Sequence, residues 1–130
     1  MATALSINKH IYTILSSDEK LREMVGKNIY PVIAEENVTY PFVIFKRQAI
    51  TPTYAKNALQ YDTCSFSVAI VTNTYIQTIE IAERVRTILE CYSGDAMKQV
   101  RLQAINEEYM DDAYVQELNF DCVVFPQSQN

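Results

Sequence analysis

Glycine is nearly missing from this chain of 130 residues: there are two, Gly26 and Gly94. A phosphate-cradling loop needs glycines so that backbone can approach the ligand, so P-loop and dinucleotide-binding readings fail. Histidine is scarcer still, with His10 alone. A Ser-His-Asp or Cys-His site would have to be built on it, with Cys64, Cys91 or Cys122 as the thiol, and no nucleophile signature flanks any of the three. His10 therefore reads as a solvated helix residue on the edge of an apolar stripe. The three cysteines are far apart and show no CxxC spacing. That pattern fits reduced, buried thiols rather than zinc or a disulfide. No run of about 18 apolar residues is present, as a membrane-spanning helix would need. The opening MATALSINKH has neither the apolar core nor the cleavage site of a signal peptide. The expectation is no membrane partner and a place in the cytoplasm of the cell that makes the protein.

Positive charge is also short. Eleven basic side chains face sixteen acidic ones, for a net charge of −5. Tight non-specific binding to phosphate backbones depends on Lys and Arg, so the balance argues against it. An acidic surface fits a solvated protein, or one that must let DNA slide past without holding it. What the chain does have is apolar residues, 48% of the total. That is enough for a core without staples at this length, and one domain spanning 1–130 is expected.

Along the chain, Ile7, Ile11, Ile14 and Leu15 recur at helical spacing. Continued unbroken, that helix would put Asp18 on its apolar stripe. Ser16 with Glu19 reads as a capping box that starts a second short helix, with Leu21, Met24 and Val25 on its buried side and Gly26 as its stop. Residues 28–40 read as an irregular connection punctuated by Pro31 and Pro41. A short strand is expected at 42–48, a loop or projecting hairpin at 49–60, and a half-buried strand at 61–71, where Cys64, Phe66, Val68 and Ile70 share a face. Residues 74–92 read as the clearest helix, opened by a Thr74–Gln77 capping box and followed by Gly94. Its apolar half holds Tyr75, Ile79, Ile81, Ala82, Val85, Ile88 and Leu89, and Glu80 and Arg84 stand at i, i+4 on the polar half. Two strands close the chain, 100–110 (with Val100, Leu102 and Ala104 alternating) and 113–125. Asp111–Asp112 is the turn between them, and the final PQSQN reads as a frayed end. The resulting class is α+β: a four-stranded, mainly antiparallel sheet with helices on one face, in the order α-α-β-β-α-β-β.

Acidic pairs occur at Glu35–Glu36, Glu107–Glu108 and Asp111–Asp112. Neighbours on a strand point to opposite faces, so Glu107 and Glu108 do not converge unaided. Nine tyrosines and five phenylalanines could suggest base stacking. Nucleic-acid platforms pair exposed aromatics with basic residues, however, and Lys46–Arg47 is the only basic pair. Core packing and protein contacts account for the aromatics better. No catalytic, cofactor-binding or metal-binding residues are assigned.

One stretch is distinctive. Leu21, Val25–Gly26, Ile29–Tyr30–Pro31 and Tyr40–Pro41–Phe42–Val43 give a helix, a glycine, Ile-Tyr-Pro, a spacer and an aromatic-led strand. Further on come a helix reading Ala82-Glu83-Arg84-Val85-Arg86-Thr87-Ile88-Leu89 and a last strand reading Glu117-Leu118-Asn119-Phe120-Asp121-Cys122-Val123-Val124. The pattern resembles the bacteriophage and prophage tail-completion family, the head–tail joining or tail-terminator proteins. Two departures stand out: the segment 54–60 lacks the family's glycine, and the last hairpin is acidic. The resemblance implies a non-enzymatic structural protein of the virion tail, assembled in the bacterial host cytoplasm. It implies a hexameric ring of identical copies as partner, together with tail-tube and head-connector proteins, with DNA passing through the lumen unbound.

A ring needs two different patches on each subunit. Tyr54 and Leu59 in the loop and Ile76 on the polar side of the long helix are apolar where solvent is expected, and they are the candidate interface residues. Two other readings compete: a small ligand-binding or regulatory α+β module with a preformed apolar pocket, and an enzyme with an opposed carboxylate pair in a cleft.

Overall fold

The computed structural model of the chain describes residues 4–126; of the PQSQN end, all but Pro126 lies outside them. A single 3-10 turn, Ala4–Ser6, leads into helix α1 (Ile7–Ser16), which buries Ile7, Ile11 and Leu15. Helix α2 (Glu19–Val25) follows, burying Leu21 and Val25. Its N-cap is Asp18 rather than Ser16: the Asp18 carboxylate accepts the Leu21 amide at 2.9 Å. A carboxylate at this position satisfies an otherwise orphaned N–H and also faces the positive end of the helix. The expected capping box is thus displaced by two residues. Gly26 stops α2 at φ 63°, a region that side chains with a Cβ avoid.

Strand β1 (Ile29–Pro31) lies in the stretch expected to be irregular, and it pairs parallel with Val43, Ile44 and Phe45 of β2 (Phe42–Ala55). The Asn28 side chain ties down the connection by donating to the carbonyls of Thr39 and Pro41 at 3.1 and 3.3 Å. Strand β3 (Ala58–Thr72) returns antiparallel from β2. The expected loop or hairpin at 49–60 is a hairpin, turning on Lys56 and Asn57, both at positive φ. Helix α3 (Tyr75–Leu89) is followed by β4 (Lys98–Met110) and β5 (Ala113–Val124), an antiparallel pair joined by Asp111–Asp112.

The sheet has five strands in the order β1-β2-β3-β5-β4 and is mixed, not four-stranded, because β1 adds a parallel edge. The α+β class holds. The register puts Val43 and Phe45, then Cys64, Phe66, Val68 and Ile70, then Leu118, Phe120 and Cys122 on one face, where they form one buried cluster with the helix residues. Phe66 and Phe120 stack at its centre with ring centroids 5.3 Å apart. The opposite face, with Ser65, Ser67, Ala69 and Val71 across from Asp121, Asn119, Glu117 and Val115, is covered by no element among the described residues.

Some local details differ from the sequence pattern. A bulge between Leu102 and Ala104 shifts β4 by one residue, so Ile105 rather than Ala104 comes opposite Leu118. The Thr74 hydroxyl meets the Gln77 side chain at 3.1 Å but caps no backbone N–H of α3. Gly94 does not cap α3. Glu90 ends that helix, Cys91 takes the positive φ, and Gly94 leaves room for the Tyr92 side chain, which a Cβ would meet.

Candidate functional site

The three candidate interface residues do not gather in one place. Tyr54 and Leu59 are direct cross-strand partners near the tip of the β2–β3 hairpin, both exposed. Ile76 is exposed on the first turn of α3, beyond the opposite end of β3. A 15-residue strand at about 3.3 Å per residue separates the two ends. They belong to two surfaces rather than one.

The Ile76 surface holds more than the sequence indicated. Tyr75 beside it meets Tyr114 edge-on at 5.6 Å, and Tyr114 meets Tyr109 at 4.8 Å. Under this aromatic layer the Glu107 carboxylate accepts the Gln116 amide at 2.7 Å, with the Tyr75 hydroxyl close enough to act on its charge. Those two groups hold Glu107 below the usual carboxylate range, and the adjacent carboxylate raises Tyr75. A groove between α3 and the outer strand continues from there, lined by Ile79, Glu83, Ile105 and Gln116. Helical periodicity puts Ile79 on the core side of α3. It is only half-buried because α3 lies over β3 and β5 and leaves β4 largely uncovered.

A second apolar surface, absent from the sequence reading, lies at the other edge of the sheet. Tyr12 of α1, Pro31 of β1 and Phe45 of β2 line a groove with Asn8, Lys9 and Thr13. Leu5, Val32 and Ile33 are exposed in the neighbouring segments. β1 was invisible in the sequence, so nothing there marked this edge.

The remaining chemistry is sparse. His10 lies on α1, half-exposed. Cys64 and Cys122 are buried register partners across β3 and β5, and Cys91 is exposed. The exposed position of Cys91 differs from the expectation of three buried thiols, because the left-handed residue after α3 turns outward. Glu107 and Glu108 fall on opposite faces of β4, while Glu108 shares the uncovered face with Glu117. Arg84 does not pair with Glu80; it reaches across to Asp18. Among the described residues no three His, Cys, Asp or Glu side chains group as metal ligands, and no helix is long and apolar enough to cross a membrane.

The sequence matches the family described as Tail completion protein gp17 over residues 9–124. A chain from the virion of a native gene transfer agent particle is similar in structure, with a TM-score of 0.77 at 15% identity, covering 89% of this chain and 92% of that one. A second solved chain has a TM-score of 0.63 at 8% identity, covering 96% of this chain and 98% of its own length. At these identities the likeness is one of fold. No curated protein matches the sequence.

Proposed function

The chain belongs to the Tail completion protein gp17 family, and from that premise we propose that it caps the phage tail tube at its head-proximal end and joins it to the head connector. The family is one of phage structural proteins, so the role is structural and sits in the virion tail. In this reading identical copies form a ring, six in number, around a lumen through which DNA passes. Assembly takes place in the host cytoplasm before the tail meets the head.

The observation that carries the reading is the extent of the family match. It runs from within α1 to the end of β5 and so takes in every strand of the sheet. The surfaces agree with a joint. An uncovered sheet face, a projecting β2–β3 hairpin and apolar grooves at both edges give one small chain several separate places to touch neighbours. The uncovered face sets Glu108, Glu117 and Asp121 against Lys46, Lys98 and Arg101, a balance with no net positive charge to grip a phosphate backbone.

The test is genetic and structural. Particles assembled without this protein are imaged by electron microscopy, and the expected picture is tails that are overlong or unattached to heads. Tails of normal length joined to heads in its absence would overturn the proposal.

A further inference from the structure

The two edges of the sheet differ in charge as well as in shape. α1, β1 and β2 carry Lys9, Lys46 and Arg47 and no carboxylate; Glu35 and Glu36 stand on the loop after β1. The other edge is the reverse. Beyond Arg101 the chain has no Lys or Arg, while β4, its turn and β5 hold Glu107, Glu108, Asp111, Asp112, Glu117 and Asp121. Glu83 of α3 borders the same edge, and Arg86 beside it is neutralised within its own helix by Glu90 at 2.7 Å. Lys98 and Arg101 stand at the base of β4 and are its only basic residues.

Each edge also exposes a large apolar surface where solvent would otherwise lie. At the basic edge these are Leu5, Tyr12, Val32 and Ile33, and at the acidic edge Tyr75, Ile76, Ile105 and Tyr109. Exposed apolar side chains grouped together and rimmed by charge mark protein contacts. The acidic edge also ends in β4, 13 residues long, which pairs with β5 on one side and with no further strand on the other; at its base Val100 exchanges backbone hydrogen bonds with Cys91 and Tyr92.

We propose that the occupant of each edge is a second copy of this chain: the acidic aromatic edge, α3 with β4, docks head-to-tail on the basic edge, α1 with β1 and β2, of the next copy. The inference rests on the ring reading above and assigns its contact surfaces. Two unlike, charge-complementary patches at opposite edges of one sheet form a heterologous interface, which closes into a ring when the rotation per subunit permits. Opposite charge across the contact steers the copies together and disfavours like edges meeting.

The experiment uses the full chain. Equal amounts of light and heavy-nitrogen protein are mixed at high concentration and treated with a carbodiimide, which joins a lysine amine directly to a carboxylate. Mass spectrometry should find heavy–light links from Lys9 or Lys46 to Glu83, Glu107, Glu108 or the Asp111–Asp112 turn. In sedimentation velocity, E83K/E108K and K9E/K46E should each weaken self-association at least tenfold. A one-to-one mixture of the two variants should recover it, because the reversed edges are again complementary. That recovery also shows both variants to be folded. A strict monomer, heavy–light links confined to other surfaces, or two variants that associate as before or fail to recover on mixing would overturn the assignment. If it fails while tails lacking the protein still cannot join heads, the tail-completion reading stands and the assigned edges fall. If tails form normally without the protein, that reading falls whatever the association shows.

Discussion

Asp18 and Arg84 lie 66 residues apart in sequence and meet in a two-pronged ion pair, Nε to Oδ2 at 2.9 Å and Nη2 to Oδ1 at 2.6 Å. The same carboxylate caps α2 through the Leu21 amide. One side chain therefore starts the second helix and fixes its position against α3. The two roles separate by mutation. D18A removes the cap and the pair and should cost on the order of 1 kcal/mol or more, the usual worth of a lost N-cap. R84A leaves the cap in place and should cost less, since the pair is only partly buried and solvent screens much of its attraction. In the D18A background R84A should cost almost nothing. Urea denaturation of the three variants measures this, and additive losses would mean that Asp18 and Arg84 contribute no coupling energy to the fold.

The pair also sets a pH dependence. The Arg84 guanidinium, aided by the Leu21 amide, holds Asp18 below its ordinary value. A depressed carboxylate contributes stability that is present above its unfolded value, about 3.9, and is lost as pH falls through the folded value. Wild type should therefore lose more stability between neutral pH and about pH 3 than D18N does. Urea midpoints at the two pH values test this. Parallel losses would mean that other carboxylates, such as Glu107 beside Gln116 and Tyr75, carry the acid sensitivity.

The β4–β5 turn makes a sharper prediction. Asp111 and Asp112 have φ of 52° and 62° between the paired residues Met110 and Ala113, the left-handed geometry of a two-residue hairpin of the I′ type. Asp tolerates this region and Gly prefers it. D112G should stabilise the fold by about 0.5–1 kcal/mol, whereas D112P, locked near φ −65°, should break the hairpin. Thermal melts distinguish the two, and a destabilised D112G would indicate that the Asp112 side chain is needed.

Much of this structure was legible because its signals are periodic. Cys64, Phe66, Val68 and Ile70 alternate, and all are buried. Ile81, Val85 and Leu89 recur at helical spacing and face the core. What escaped was local or distant. β1 is three residues long and ends in Pro31, too short for any period, and it exists because β2 offers a free edge. The Arg84 partner was misread because i, i+4 proximity to Glu80 is visible in sequence while a contact 66 residues away is not. The bulge at Gln103 also cannot be read from alternation, and it decides that Ile105 enters the surface beside α3. Of the candidate site, Tyr54, Leu59 and Ile76 stood out as apolar residues in polar surroundings. Their separation onto different surfaces depended on the length of β3.

The cysteines give a direct chemical check on the fold. Cys91 is exposed after α3, while Cys64 and Cys122 face each other in the core. The neighbouring thiol and burial push Cys122 well above the ordinary range, so little reactive thiolate forms there. A thiol reagent at pH 8 should label one site per native chain quickly and three after unfolding. C91S should abolish the fast phase. Rapid labelling of Cys64 or Cys122 in native protein would mean that the β3–β5 core opens locally.

The β2–β3 hairpin tip tests contact against stability. Tyr54 and Leu59 lie opposite each other on an arm that continues beyond the helix-covered part of the sheet, and the residues around the turn are exposed. Side chains there bury little on folding, and surface substitutions away from caps and cores usually change stability by less than about 0.5 kcal/mol. Y54S/L59S should therefore melt close to wild type. If the arm reaches a neighbouring protein in the tail, losing two apolar side chains removes contact area at that interface and not within the chain. The expected phenotype is a folded protein that fails to restore head-joined tails to particles lacking the wild-type copy. Full restoration by Y54S/L59S would show the arm to be a solvent-exposed extension of the sheet, and would leave the two sheet edges as the surfaces that make the joint.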